Sequence, residues 1–238
     1  APAERQMEIA HRYVLGLYEL LERITSDFPH ILFEGCCSGG GRFDPGMLYY
    51  MPQTWTSDDT DAVERLKIQY GTSLVYPIST IGAHVSAVPN HQVGRLTPLK
   101  TRGDVAMSGN FGYELDLTKF TEEEKEAVKR QVATYKEVRR LVQQGDYYRL
   151  LSPFEGNEAA WMFVSEDRKE ALVFYFQVLA EPHPAPKAVR LQGLNPDFDY
   201  AVDEGDAFGG DRLMRAGLPI PYETGDYRSR MFKLRAIQ

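Results

Sequence analysis

Pro52-Gln53-Thr54-Trp55-Thr56-Ser57-Asp58-Asp59-Thr60-Asp61 runs directly into Ala62-Val63-Glu64-Arg65-Leu66-Lys67-Ile68-Gln69-Tyr70. The first five residues suit a strand, the polar middle suits a helix start, and the last nine read as a helix. One strand, one cap and one helix make a β-α unit, and similar units lie on both sides. Upstream, Met7, Ala10, Val14, Leu17, Leu21 and Ile24 fall on one helical stripe within residues 4–25, which predicts a helix with a partner surface. His30-Ile31-Leu32-Phe33-Glu34 then reads as a short buried strand. Downstream, Ser79–Val85 starts a third unit, followed by a Pro- and Asn-punctuated loop and a weak helix over 96–105. A fourth begins at Phe111–Leu115. Its helix is the clearest in the chain, with a Thr121/Glu124 capping box, apolar Val128, Val132, Tyr135, Val138 and Val142, and Gly145 as stop signal. Four such units in series predict parallel strands joined by crossover helices.

After Gly145 the texture changes. Short apolar or alternating segments at 147–151, 160–165, 171–179, 187–191, 198–202 and 231–236 are separated by Pro, Gly and Asp clusters, the pattern of a small antiparallel β-sandwich. The predicted class is therefore α/β plus all-β, with residues 1–145 as one domain and 146–238 as the other. Four β-α units make only half of an eight-stranded barrel. Alone they would leave two parallel-strand edges and an interior uncovered.

Composition bounds the function. At 238 residues, by area scaling, roughly 70% of the extended chain's surface is buried on folding, so a sizeable core is available. A net charge of -7 argues against phosphate backbones and anionic lipid surfaces, so neither nucleic acid nor membrane is an expected partner. No apolar run approaches the roughly 18 residues of a spanning helix, and the first residues lack the layout of a secretory signal. Cys36 and Cys37 are adjacent, so a bridge between them would be strained; as free thiols they suit a reducing, cytoplasmic setting.

Two constellations could carry chemistry. In the 57–61 cluster, Ser57, Asp59 or Thr60 can cap the following helix, and Asp61 and Arg65 are spaced for a surface i,i+4 pair. Three acids in four residues exceed what one cap uses, however, and the C-terminal end of a parallel strand is where α/β folds place catalytic groups. Trp55, Phe43, Tyr49 and Tyr50 could form an apolar wall that raises a carboxyl toward general-acid duty.

The second constellation is the loop Cys36-Cys37-Ser38-Gly39-Gly40-Gly41-Arg42. It matches neither the Walker nor the dinucleotide spacing, and close backbone approach to a neutral polyol suits it better. The cysteines could serve as nucleophile or ligands, but no CxxC or Cys-His spacing supports zinc, and Cys37 as a packed small hydrophobe is the plain alternative. The five histidines are scattered, with His84 placed either to line a pocket or to act as a hydrogen-bonded structural residue. Acidic turns at 203–206 and 209–211 lack the ligand order of a calcium loop. Tyr147, Tyr148, Trp161, Phe163, Phe174, Tyr175 and Phe176 are expected to fill the sandwich core.

The run Phe33-Glu34-Gly35-Cys36-Cys37-Ser38-Gly39-Gly40-Gly41-Arg42-Phe43-Asp44-Pro45-Gly46-Met47-Leu48-Tyr49-Tyr50, continued by Trp55–Asp61, closely resembles the alpha-galactosidases of glycoside hydrolase family 36, and the resemblance extends along the whole chain. It implies the second half of a (β/α)8 barrel followed by the C-terminal antiparallel domain of a protein about three times longer. It also implies a retaining mechanism without metal or cofactor, acting on melibiose- or raffinose-type alpha-galactosides. By that resemblance Asp58 is the general acid/base, and Cys36 and Gly39 contact the galactosyl ring. The family's nucleophile sits in a Lys-Trp-Asp motif, which is absent here; Trp55 and Trp161 are the only tryptophans. The implied partners are the galactoside, the missing N-terminal part of the enzyme and, when complete, further copies of the chain. The alternatives are a fragment or barrel-completing subunit inactive by itself, or a related galactosyl transferase or alpha-N-acetylgalactosaminidase.

Overall fold

The computed structural model describes residues 2–36 and 41–237. A short 3-10 turn leads into α1 (Ile9–Asp27), followed by β1 (Glu34–Gly35), α2 (Pro45–Tyr50), β2 (Gln53–Thr54), α3 (Ala62–Thr72), β3 (Gly82–Ser86), α4 (Leu99–Met107), β4 (Asn110–Glu114) and α5 (Glu122–Gln144). The strands run parallel in chain order. Glu34 lies opposite Gln53, a parallel bridge joins Thr54 to Ile81, and Gly82 to Ser86 pair with Asn110 to Glu114. Gly82 stands where β1, β2 and β3 converge: a Cβ there would meet Glu34 Oε2 and the Thr54 carbonyl at 3.3 Å each.

The clearest expected helix starts at its expected signal. α5 carries both halves of the Thr121/Glu124 capping box. At its end Gly145 has φ -74°, so glycine is not required for a left-handed turn. Its reason is close approach: a Cβ would lie 2.6 Å from the Leu141 carbonyl and 3.0 Å from the Val164 carbonyl.

Two expectations for the first part fail. Of His30–Glu34 only Glu34 enters β1, and Ile31 and Leu32 are exposed. The helical stripe of residues 4–25 is covered only toward its C-terminal end, where Leu21 is buried, Leu17 and Ile24 are half-buried and the neighbouring Tyr18 lies against Tyr50 of α2, while Met7, Ala10 and Val14 are exposed. In both cases nothing among the described residues covers the side chains left exposed.

The second part comprises β5 (Asp146–Leu151), β6 (Glu158–Val164), β7 (Glu170–Gln177), β8 (Lys187–Val189), β9 (Asp199–Val202), β10 (Ala207–Gly209), α6 (Gly210–Arg215), β11 (Leu218–Ile220) and β12 (Arg228–Ile237). Six strands form an antiparallel sheet ordered β10-β9-β12-β7-β6-β5, and β8 and β11 form a separate antiparallel ribbon. The segments from 147–151 to 231–236 are all strands; β10, β11 and α6 are too short to have left a pattern.

The large sheet is buried on both faces. Ala160, Met162, Val173 and Tyr175 pack with Val189, Leu191, Leu213 and Leu218 from the ribbon side. Trp161, Phe163, Phe174 and Phe176 pack instead with Leu66, Val105, Val138 and Val142 of the helices around the parallel strands. Most of the aromatic residues expected in a sandwich core thus bind the sheet to the helical layer, with Tyr148 and Tyr175 on the opposite face. Burial on both faces explains why β6 and β7 read as nearly unbroken apolar runs.

A polar seam joins the same two parts. Lys100 Nζ donates to the Ser229 carbonyl at 2.7 Å, Ser229 Oγ donates to Asp104 Oδ2 at 2.7 Å, and Thr101 Oγ1 donates to the Tyr227 carbonyl at 2.6 Å. Satisfied in this way, these groups do not incur the cost of buried unpaired polar atoms.

Candidate active site

The loops at the C-terminal ends of β1, β2 and β3 lie side by side. β1 ends at Gly35, whose carbonyl accepts from the Trp55 N–H at 2.8 Å, so Cys36 and the Trp55–Asp61 loop leave adjacent strands. Cys36 is an exposed free thiol. Gly39, the other expected sugar contact, lies outside the described residues, as does Cys37.

The three acids of the cluster have separate roles. Asp61 caps α3, its carboxylate accepting from Val63 N at 3.0 Å and Glu64 N at 3.1 Å. Asp59 holds the preceding turn, with Oδ1 accepting from Asp61 N at 3.0 Å while its own N–H donates to Ser57 Oγ at 3.1 Å. The cap of α3 is thus Asp61 rather than Ser57, Asp59 or Thr60, and Ser57 and Asp59 hold the turn before it. Asp58 is exposed, and among the described residues its carboxylate has no hydrogen-bond or ion-pair partner.

The expected surface pair of Asp61 and Arg65 does not form. Asp61 is 2% exposed and pairs with Arg95, which also reaches Glu64 Oε1 at 3.4 Å. Arg65, likewise 2% exposed, turns inward beneath the strand ends. Its guanidinium donates to the Ser57 carbonyl at 3.3 Å and the Gly82 carbonyl at 2.8 Å, and lies 4.4 Å from the centre of the Trp55 ring. Burial pushes the Arg65 guanidinium down to about 10, and the nearby Asp59 carboxylate opposes that shift.

His84 stacks on the other side of Trp55, with ring centres 4.3 Å apart, and its Nδ1 lies 2.9 Å from Glu114 Oε2. Ala83 and Val85 pack toward α4, so strand alternation turns His84 to the opposite face. His84 is thus hydrogen-bonded, on the face of the strands opposite α4. The expected aromatic wall does not assemble around Asp58. Trp55 is sandwiched between Arg65 and His84, Phe43 stacks on Tyr76, and Tyr50 lies against Tyr18 and Tyr49.

Residues 87–98, between β3 and α4, supply partners that no sequence pattern signals. Gln92 Nε2 donates to the Asp58 carbonyl at 3.1 Å, and Gln92 Oε1 accepts from Thr60 N at 3.1 Å. Asn90 Nδ2 donates to Thr60 Oγ1 at 3.0 Å. These contacts span 30 to 34 residues of chain, too far for a local turn signal.

No group of three or more His, Cys, Asp or Glu able to hold a metal occurs among the described residues, and none of their helices is long and apolar enough to cross a membrane. Two cavities lie away from these strand ends. One of about 260 Å³ is bordered by Tyr175, Lys187, Tyr222 and Arg230, and one of about 780 Å³ runs between α5 and the large sheet.

Comparison with known proteins agrees along the chain. The melibiase family profile matches residues 1–145, and the glycosyl hydrolase family 36 C-terminal domain matches 158–234. Alpha-galactosidase AgaA of Geobacillus stearothermophilus is 69% identical over 237 residues, covering 100% of this chain and 32% of that protein. Alpha-galactosidase 1 of Pediococcus pentosaceus is 54% identical, covering 99% of this chain and 32% of its own length. The crystal structure of the family 36 alpha-galactosidase AgaB from G. stearothermophilus superposes with a TM-score of 0.97 at 69% identity, covering 100% of this chain and 33% of that one. A variant of AgaA in complex with raffinose superposes at 0.98 with 68% identity, covering the same shares. The chain thus spans about a third of the length of the relatives it matches.

Proposed function

Because the chain belongs to the melibiase family, the glycoside hydrolases of family 36, we propose that it supplies the general acid/base half of a retaining alpha-galactosidase site. The carrying observation is the division of labour in the Trp55–Asp61 loop. Two acids are consumed by backbone N–H groups, and Asp58 alone presents an uncommitted carboxylate at a parallel strand's C-terminal end. In the first step Asp58 protonates the departing sugar oxygen as the anomeric carbon is attacked. In the second the same carboxylate removes a proton from water, which displaces the enzyme carboxylate and releases galactose.

Retaining hydrolysis places two carboxyl groups about 5 to 5.5 Å apart. The partner nucleophile is not encoded in these residues, which lack the Lys-Trp-Asp motif. Acid catalysis alone contributes about 10²- to 10⁴-fold, far below the acceleration of a working enzyme. On this reading residues 1–145 form half of a (β/α)8 barrel, residues 146–238 form the C-terminal β domain, and the chain by itself has no turnover. The single-sided pairing of β1 and β4 and the exposed N-terminal half of the 4–25 stripe support that division. Cys36 and Gly39, in the loop leaving β1, contact the galactosyl ring.

The substrate class is the terminal alpha-galactoside of raffinose-type sugars. Its support is the raffinose and stachyose complexes of the AgaA variants. A cytoplasmic setting accords with the free Cys36 thiol, and assembly into homo-oligomers belongs to the completed protein.

The test is Asp58→Asn in this chain joined to the remaining two-thirds of a family member. Raffinose turnover is expected to disappear, while azide restores release from an activated aryl galactoside, because azide attacks the glycosyl-enzyme without a base. Near-normal raffinose cleavage by the variant rejects the assignment. Transfer of galactose to sugar rather than water, seen by product analysis, would make the protein a transferase of the same site.

A further inference from the structure

We propose that Gln92 is a positioning residue for Asp58, its side-chain amide setting the direction in which the Asp58 carboxyl meets the substrate; the inference rests on the acid/base reading above. The contact is a two-way clamp. Nε2 donates to the Asp58 carbonyl at 3.1 Å and Oε1 accepts from Thr60 N at 3.1 Å, so one planar amide bridges the peptide groups on both sides of Asp59. Rotation of the Asp58 backbone would break at least one of the two bonds.

The clamp is itself held rigidly. Asn90 is 4% exposed, and its Oδ1 accepts from Gln92 N at 2.9 Å and Val93 N at 3.1 Å, while its Nδ2 donates to Thr60 Oγ1. Backbone bonds from Asn90 N to the Arg95 carbonyl at 2.9 Å and from Gly94 N to the Asn90 carbonyl at 2.8 Å close this loop. Gly94 has φ +69°, a turn that glycine adopts without strain. Arg95 then anchors the far end on Asp61 and Glu64.

Asp58 needs such an external brace. Its carboxylate has no partner among the described residues, so the direction of the side chain depends on its backbone alone. Neither Asp59 nor Asp61 can supply the brace, since both are engaged on N–H groups that follow Asp58. Arg65 fixes the loop one residue earlier, at the Ser57 carbonyl. Gln92 completes the restraint on the other side.

The test compares Gln92→Met, which keeps the length and removes the amide, with Gln92→Glu, which keeps an acceptor for Thr60 N and removes the donor to Asp58. Both are placed in the completed enzyme, with Asp58→Asn alongside. kcat/KM reports the galactosylation step, which needs the proton for raffinose and not for a dinitrophenyl galactoside. Displacement of a catalytic group costs on the order of 10²-fold, so raffinose kcat/KM is expected to fall about 10- to 100-fold in both variants while the dinitrophenyl substrate loses less than about threefold. Equal loss on both substrates would mean a general structural role and overturn the proposal, as would unchanged raffinose cleavage. Because Gln92→Met removes the whole clamp and Gln92→Glu only the donor to Asp58, misfolding of one leaves the other to decide. If Asp58→Asn itself leaves raffinose cleavage intact, the acid/base reading fails; if it is inactive while both Gln92 variants behave as wild type, only the positioning role fails.

Discussion

Arg65 shows how a residue that reads as surface becomes structural. Four residues after Asp61 on a helix, it has the spacing of a solvent-exposed ion pair, yet it lies beneath the strand ends and bonds the Ser57 and Gly82 carbonyls. A buried guanidinium is tolerable here because its planar fork serves a carbonyl of the loop after β2 and one of β3, and its face lies on Trp55. Truncation would leave both carbonyls unpartnered and a void under the indole. Arg65→Ala is expected to lower stability by about 2 to 5 kcal/mol, read as a shift of the urea midpoint at constant slope. A loss under about 1 kcal/mol would mean that water replaces the guanidinium at no cost. The Arg65→Lys substitution should recover only part of the loss, because an ammonium cannot reproduce the fork.

At the scale of elements, the joint between α5 and β5 carries the tightest local constraint. Gly145 ends the helix with its N–H on the Leu141 carbonyl at 2.8 Å, and the sheet passes directly above it. An added methyl would press on two backbone carbonyls, which yield less easily than the end of a side chain. Gly145→Ala is therefore expected to destabilise by about 1 to 3 kcal/mol, despite the better helix propensity of alanine. Thermal melting checks the sign: an unchanged or raised midpoint would contradict the close approach. The capping box that starts the same helix was legible because it is local, with Thr121 and Glu124 three residues apart. The reason for Gly145 was not legible, because one of the two carbonyls belongs to Val164 on the next hairpin.

At the scale of the molecule, buried phenols spread over several elements govern alkaline behaviour. Burial pushes the Tyr113 phenol up to about 12, with the Arg102 cation pulling the other way. Tyr147 and Tyr175 are likewise held neutral, chiefly by burial. A phenol whose folded value exceeds its unfolded value of about 10 stabilises fully below pH 10 and loses that contribution as the pH rises through the folded value. Arg65, with a folded value of about 10 below its ordinary one, acts in the opposite sense over the same range. Six raised phenols, on Tyr18, Tyr50, Tyr113, Tyr147, Tyr175 and Tyr200, against the lowered Arg65 and Arg102 predict a melting temperature that falls between about pH 10 and 12. Tyr113→Phe should make that fall shallower; an identical pH profile in the variant would show that Tyr113 ionises freely in the folded chain.

Residues 55–61 and 121–145 alone determined a strand-to-helix junction and the Thr121/Glu124 capping box, because such signals are written in neighbouring side chains, although the cap of α3 falls on Asp61 rather than on Ser57, Asp59 or Thr60. The six antiparallel segments were legible for the same reason, each carrying its own apolar run between turn residues. Tertiary structure decided the rest. It put Trp161 and Phe163 against helices rather than a second sheet, and turned Arg65 inward. It gave Asp61 to Arg95 and brought Gln92 across more than thirty residues to the Asp58 backbone. It also left Met7, Ala10 and Val14 of the first helical stripe bare, though its periodicity promised a partner along its whole length. Periodicity tells which face of an element must be covered, whereas the identity of the cover depends on where distant segments end in space.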